Sequence, residues 1–158
     1  MTKLYLAYGS NLNKRQMEMR CPNAKIVGKG YLSNYRLLFK GSKTGSYLTI
    51  EPAEKEEVPF GIWEITPKHE ETLDIYEGYP LFYYKRELDI EYYDFESKTI
   101  KKDKAMVYIM HEDREFGIPT RRYMDVCQEG YSNFGFNHKY LAKAYLFSKN
   151  GGDYYDNK

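Results

Sequence analysis

The chain has 158 residues, 42% of them hydrophobic and 30% charged. That is about one domain's worth, with enough apolar material to bury a core without staples. Lys plus Arg number 24 and Asp plus Glu 23, a balance that leaves no electrostatic footprint for nucleic acid. No run of about eighteen apolar residues is present to span a membrane, and the first residues lack the layout of a signal peptide.

Tyrosine alone accounts for 18 residues, so rings carry much of the core area and many hydroxyls need partners. Two cysteines, Cys21 and Cys127, suit a reducing compartment better than a disulfide framework. The expectation is a cytoplasmic protein, free of membrane and nucleic acid. One domain is expected over residues 1–149, with a loose tail over 150–158.

Residues 2–8 read as a buried first strand. The chain then breaks through Tyr8, Gly9, Ser10, Asn11 and Leu12 into a short helix over 13–19, stopped by Cys21-Pro22. Residues 26–39 carry strand material bent at Gly28 and Gly30. Two further strands follow, over 47–50 and 58–65, the second with Gly61 at a point of close approach. Thr66-Pro67 opens a helix, with a capping residue followed by proline at the first helical position, and Gly78 ends it. Residues 83–93 and 104–110 form a hairpin around the polar stretch DFESKTIKKD. Pro119-Thr120 opens a helix to about residue 131, and Asn137 caps a last helix to about residue 147. Strands fill the first two-thirds and helices close the chain, which predicts an α+β fold. So many short, bent strands predict a small closed mixed β-barrel with flanking α-helices.

No Gly-x-Gly-x-x-Gly or Walker loop is present, and His69, His111 and His138 are too scattered for a metal motif. Neither a cofactor nor a metal is expected. Cys127 reads as a small core residue, and Cys21 has no adjacent activating base. Two places remain. The Tyr8–Gly9–Ser10–Asn11–Leu12 turn is either an ordinary strand-to-helix connection or a ring of backbone N–H donors for a carboxylate or phosphate. Glu77 ends a helix where the dipole disfavours negative charge. It is either a solvent-facing residue or a carboxylate half-buried among Tyr76, Tyr79, Tyr83 and Tyr84, with a pKa raised toward that of a general base.

Together the two places resemble a known family. YGSNL directly after a short N-terminal strand, and a helix ending in LDIYEG followed by Tyr and a basic residue, are similar to the gamma-glutamylcyclotransferase-like superfamily. The segment PTRRYMDVCQEGYSNFGF is similar to its C-terminal region. The resemblance spans about residues 4–146 and implies the barrel fold just described. It implies an enzyme that releases 5-oxoproline from a γ-glutamyl amino acid or γ-glutamylamine by intramolecular aminolysis, without a cofactor. Tyr8, Gly9, Ser10, Asn11 and Leu12 would cradle the glutamyl group, and Glu77 would be the catalytic carboxylate. Tyr84, with Arg86 as its basic partner, and Tyr123 would lie by the substrate. The partner implied is a small molecule, and the protein is expected to act as a monomer or weak homodimer. YGSNL also differs from the YGSLIW-like loop of the glutathione-specific branch. The rival reading is a non-catalytic module that binds a carboxylated metabolite on the same fold.

Overall fold

The structure is a computed structural model, and it describes residues 1–152. Six strands and four helices follow the order expected of an α+β chain. The strands are β1 (Lys3–Ala7), β2 (Lys25–Gly41), β3 (Tyr47–Ile65), β4 (Tyr83–Asp94), β5 (Thr99–Met110) and β6 (Glu115–Phe116). The helices are α1 (Lys14–Arg20), α2 (Pro67–Glu77), α3 (Arg121–Phe134) and α4 (Lys139–Lys149), and a single 3-10 turn (Ser10–Leu12) lies between β1 and α1. The expected tail begins as a hydrogen-bonded turn, with Gly151 N–H donating to Ser148 O and Gly152 N–H to Phe147 O. The remainder of that tail, residues 153–158, lies outside the described residues.

The sheet curls on itself. Its strand order is β3-β1-β5-β4-β2-β6, and β2 also pairs with β3, so the pairings run in a ring and the sheet is barrel-like. β1 is parallel to β5 and antiparallel to β3, which makes the sheet mixed. The seam between β2 and β4 is short, joining Gly28 to Asp94 and Lys29 to Tyr93. A Cβ on Gly28 would sit 2.2 Å from Tyr93 O, so the bend read in the sequence is also the place where two backbones must touch to close the ring.

The interior is filled by alternate residues of these strands, among them Leu6, Ile50, Phe60, Ile62, Val107 and Ile109. β1 pairs through Ala7 with Gly61 and through Leu6 with Ile62, which delivers the following turn to one end of the sheet. The strands read separately over 47–50 and 58–65 are one 19-residue strand. It follows β2 through a register shift between Ser33 and Tyr35. The hairpin is also longer than its composition suggested, because Thr99 already pairs with Asp94. The charged residues at the start of β5 stand exposed, whereas Asp94 at the end of β4 is buried.

α3 packs against the 3-10 turn, and a Cβ on Gly130 would lie 2.7 Å from Asn13 N. Cys21 and Cys127 are both free and buried. Among the described residues, no helix is long and apolar enough to cross a membrane.

Candidate active site

The first bend of the chain is set by the residues read as its turn. Leu12 N–H donates to Gly9 O and Asn13 N–H to Ser10 O, which closes the 3-10 turn. Asn13 then caps α1 through its side-chain oxygen, which accepts from Gln16 N–H. Leu12 is wholly buried, wedged between Gly61 of β3 and Gly130 of α3. It anchors the turn from below and does not line the hollow above it. Trp63 Nε1–H donates to Asn11 O at 2.9 Å and pins the turn to β3. The amides of Ser10 and Asn11 begin a helical turn, where geometry leaves the first N–H groups without intrahelical acceptors.

Glu77 arrives from the other side. Thr66 Oγ1 accepts from His69 N–H and Thr66 N–H donates to His69 Nδ1, a capping box that fixes the start of α2. His69 Nε2 contacts Pro22 O at 2.8 Å, which ties that start to the end of α1. His69 is thus half-buried and structural. Gly78 ends α2 with φ +66 and donates its N–H to Asp74 O and Ile75 O. This left-handed stop suits glycine, and it leaves Glu77 at the last helical position, beside the turn.

The turn and Glu77 share one hollow of about 350 Å³. Tyr8, Gly9, Ser10, Asn11, Glu77 and Tyr123 all line it. Asn11 Nδ2 is 3.5 Å from Glu77 Oε2, a long contact, and donates to Tyr5 Oη at 2.9 Å. Ser10 Oγ and Tyr76 Oη lie 3.1 Å apart. Tyr8 Oη donates to Tyr108 O, which fixes the ring against the sheet. Tyr83 Oη donates to Leu48 O and Leu48 N–H donates to Tyr123 Oη, so the wall opposite Glu77 is held by backbone.

Burial pushes the Glu77 carboxyl up to about 8, against a smaller pull downward from the Arg20 guanidinium. The carboxyl therefore holds its proton at neutral pH, and a modest change of surroundings releases it. Burial also holds Tyr5, Tyr8 and Tyr83 well above the usual phenol range, so these hydroxyls are neutral donors and acceptors. Cys127 is pushed to about 12, first by burial, which excludes a thiolate at neutral pH.

Tyr84 is not in the hollow. It faces the other side of β4, where its hydroxyl donates to Glu112 Oε2 at 2.6 Å and its ring lies against His111. Its expected partner Arg86 is exposed and acts on the Tyr84 hydroxyl, away from the hollow. The neighbour Tyr83 takes the inward position, because successive strand residues face opposite sides. Tyr131 and Phe136 pack in the core with Phe134. The ring residues at the open side of the hollow are instead Tyr47, Tyr76 and Phe82. The sequence reading missed Tyr5, Tyr47, Tyr108 and Arg20. Arg20 reaches the site from the end of α1, with its guanidinium 3.6 Å from the Tyr76 ring centroid.

Among the described residues, no group of three or more His, Cys, Asp or Glu is placed to hold a metal ion. The sequence pattern of a family described as gamma-glutamyl cyclotransferase, AIG2-like, matches residues 5–125. The chain belongs to that family. Solved structures of similar fold agree with the assignment. The crystal structure of an uncharacterised human protein, loc79017, is 25% identical with a TM-score of 0.74, over 90% of this chain and 86% of that one. A structure named gamma-glutamyl cyclotransferase is 23% identical with a TM-score of 0.76, over 100% and 93%. A yeast gamma-glutamyl cyclotransferase specific to glutathione shares the fold at 10% identity and a TM-score of 0.62, over 99% of each chain. No curated protein sequence matches. The matched span of the gamma-glutamyl cyclotransferase family takes in the turn, Glu77 and Tyr123.

Proposed function

We propose that this chain is a gamma-glutamyl cyclotransferase. In this reading it closes a γ-glutamyl group to 5-oxoproline and releases the attached amine. The observation that carries the reading is the juxtaposition of a buried, proton-holding carboxyl with the amide-presenting turn in one hollow. In the reaction the substrate's α-amine attacks its own γ-carbonyl carbon. A C–N bond forms, the bond to the leaving nitrogen breaks, and that nitrogen takes up a proton. The turn residues Gly9, Ser10 and Asn11 hold the glutamyl α-carboxylate through backbone N–H groups. Glu77 takes a proton from the α-ammonium and delivers one to the departing amine.

Nucleophile and electrophile belong to one molecule, so holding the substrate folded supplies much of the rate. Well-oriented intramolecular reactions gain about 7–11 kcal/mol. Positioned proton transfer adds roughly 10²–10⁴-fold. A carboxyl near 8 suits both directions of that transfer, because it is neither too weak a base for the ammonium nor too weak an acid for the leaving nitrogen. The arriving ammonium adds a positive charge beside Glu77, in the same sense as Arg20, and favours the deprotonated form.

The wall where the leaving amine would sit is built of Tyr47, Ile75, Tyr76 and Phe82, and Glu77 is the charged residue in the lining. Amines without a carboxylate of their own fit that wall better than amino acids, because among the described residues no cation lines the hollow to pair with a second carboxylate. The test is incubation of the purified protein with γ-glutamyl amino acids and γ-glutamylamines, scoring 5-oxoproline. Release from at least one member supports the reading, with amines leading. Silence across the panel transfers the assignment to a non-catalytic module that binds a carboxylated metabolite. A buried, titratable carboxyl beside the cradle tells against that module, since a pure binder has no need of an acid–base group there.

A further inference from the structure

We propose that Arg20 is a positioning residue for Glu77: it fixes the Asn11 side-chain amide so that the NH2 group faces the carboxylate, and it clamps the turn to the end of α2. The proposal rests on the reading of Glu77 as the proton carrier. The guanidinium lies between the two halves of the site. One of its nitrogens donates to Asn11 Oδ1 at 2.7 Å, and the other to Gln16 Oε1 at 2.5 Å. Its flat face covers the Tyr76 ring, with the central carbon 3.6 Å from the ring centroid. Tyr76 adjoins Glu77 in the chain, and Asn11 belongs to the turn. A single half-buried side chain therefore touches both the cradle and the helix that carries the carboxyl.

The chemistry follows from what an arginine can do. A guanidinium only donates, so the Asn11 atom that meets it must be the carbonyl oxygen. The Asn11 NH2 is then turned to Tyr5 Oη and Glu77 Oε2. A deprotonated carboxylate only accepts, so this orientation matches the basic form of Glu77. Without Arg20 the amide is free to flip. Its oxygen would then face the carboxyl, which only a protonated Glu77 can satisfy. Arg20 thus makes proton release by Glu77 easier by orientation as well as by charge.

The groups facing Glu77 come from every surrounding element. They are Tyr5 of β1, Tyr8 of the turn, Tyr76 of α2, Tyr83 of β4, Tyr108 of β5 and Tyr123 of α3, each with its phenol raised first by burial. All of them stay neutral across the working range, as do Cys21 near 11 and Cys127 near 12. Among the described residues, Arg20 is the charged group that acts on Glu77. Arg86, the basic residue that the sequence pattern put forward, stands exposed on β4 and acts on Tyr84 instead.

The test pairs kinetics with direct titration. Arg20→Gln and Arg20→Lys are compared with the parent protein in pH profiles of kcat/KM from pH 6 to 10, using a substrate from the 5-oxoproline panel. The Glu77 side-chain carboxyl is followed by carbon NMR, assigned through Glu77→Gln. With Arg20→Gln, the midpoint should rise by about one pH unit in both readouts. That lowers kcat/KM roughly tenfold at pH 7, with recovery by pH 10. With Arg20→Lys, which keeps the charge but not the planar fork, the midpoint should lie between the two. Midpoints unchanged in a folded Arg20→Gln variant overturn the proposal, and if that variant does not fold, unchanged midpoints in Arg20→Lys do so. A shifted NMR titration with an unshifted rate profile upholds Arg20 and removes Glu77 as the base. If no substrate turns over, the NMR titration alone decides the question of Arg20.

Discussion

A single carboxyl has two demands on it here: it must accept a proton from an ammonium, and it must later give one up. Glu77 reaches a pKa of about 8 through burial, offset in part by Arg20, and sits 3.5 Å from an amide of the turn. Glu77→Gln keeps the shape and the neutral charge of the side chain while removing the titratable proton. Turnover should fall at least a hundredfold, with binding of substrate analogues retained, as measured by steady-state kinetics and calorimetry. A loss under tenfold would take Glu77 out of the role of base. At Gly9 an added Cβ would already touch Leu48 and Tyr123 Oη at 3.4 Å. The further methyl groups of Gly9→Val have only the hollow to enter, so analogue binding should be lost by calorimetry. Near-normal affinity would show that the turn does not cradle the substrate. Which residues faced the hollow was legible only in part at this scale. Tyr83 and Tyr84 stand side by side in the sequence, and a pair of like residues cannot reveal the phase of a strand. Arg20 was invisible for another reason: its partners Asn11 and Tyr76 meet it only when α1 and α2 pack together.

Secondary structure was readable wherever a local signal fixed it. Thr66-Pro67 and Gly78 marked both ends of α2, and Cys21-Pro22 closed α1. What failed were strands whose ladder is set by a distant partner. Residues 52–57, with a proline and four charged residues, look like a loop, yet they stay within β3 because Pro52 pairs with Tyr35 and Glu57 with Ser33 on either side of a register shift. The same holds for Thr99 to Lys104, which pair with β4 residues from Asp89 to Asp94. Packing between elements follows the same logic. In the sequence Gly130 is simply a glycine within a helix, but α3 lies so close to the turn that any side chain there meets Asn13 N at 2.7 Å and the Leu12 carbonyl carbon at 2.9 Å. Both are backbone atoms, so the helix or the turn must move. Gly130→Ala should cost about 1–3 kcal/mol by overpacking, or roughly 2–4 °C of melting temperature per kcal/mol at this chain length. It should also raise KM through displacement of the turn, which kinetics on the same preparation would reveal. A parent-like KM with a lowered melting temperature would mean that α3 alone gives way.

At the scale of the whole molecule, the raised carboxyl sets a stability trend opposite to that of the surface carboxylates. Burial pushes the Glu70 carboxyl up, but hydrogen bonds from Lys3 and Lys85 outweigh this and hold it low. Groups of that kind lend stability that is lost as the pH falls through their folded pKa. Glu77 works in reverse. Its folded value near 8 lies above the ordinary glutamate value of about 4.3, so between those limits the folded protein holds a proton that the unfolded chain releases. The stability tied to that proton is fully present below about 4.3 and is lost as the pH rises through 8. An amide at position 77 escapes the loss. Glu77→Gln should therefore melt close to the parent protein at pH 5 and increasingly above it toward pH 9, by more than about 3 °C, in thermal scans by circular dichroism. A gap that stayed constant across that range would mean that the carboxyl is solvated well enough to ionise freely. The hollow would then lack the low-dielectric surroundings on which the proposed proton transfer depends.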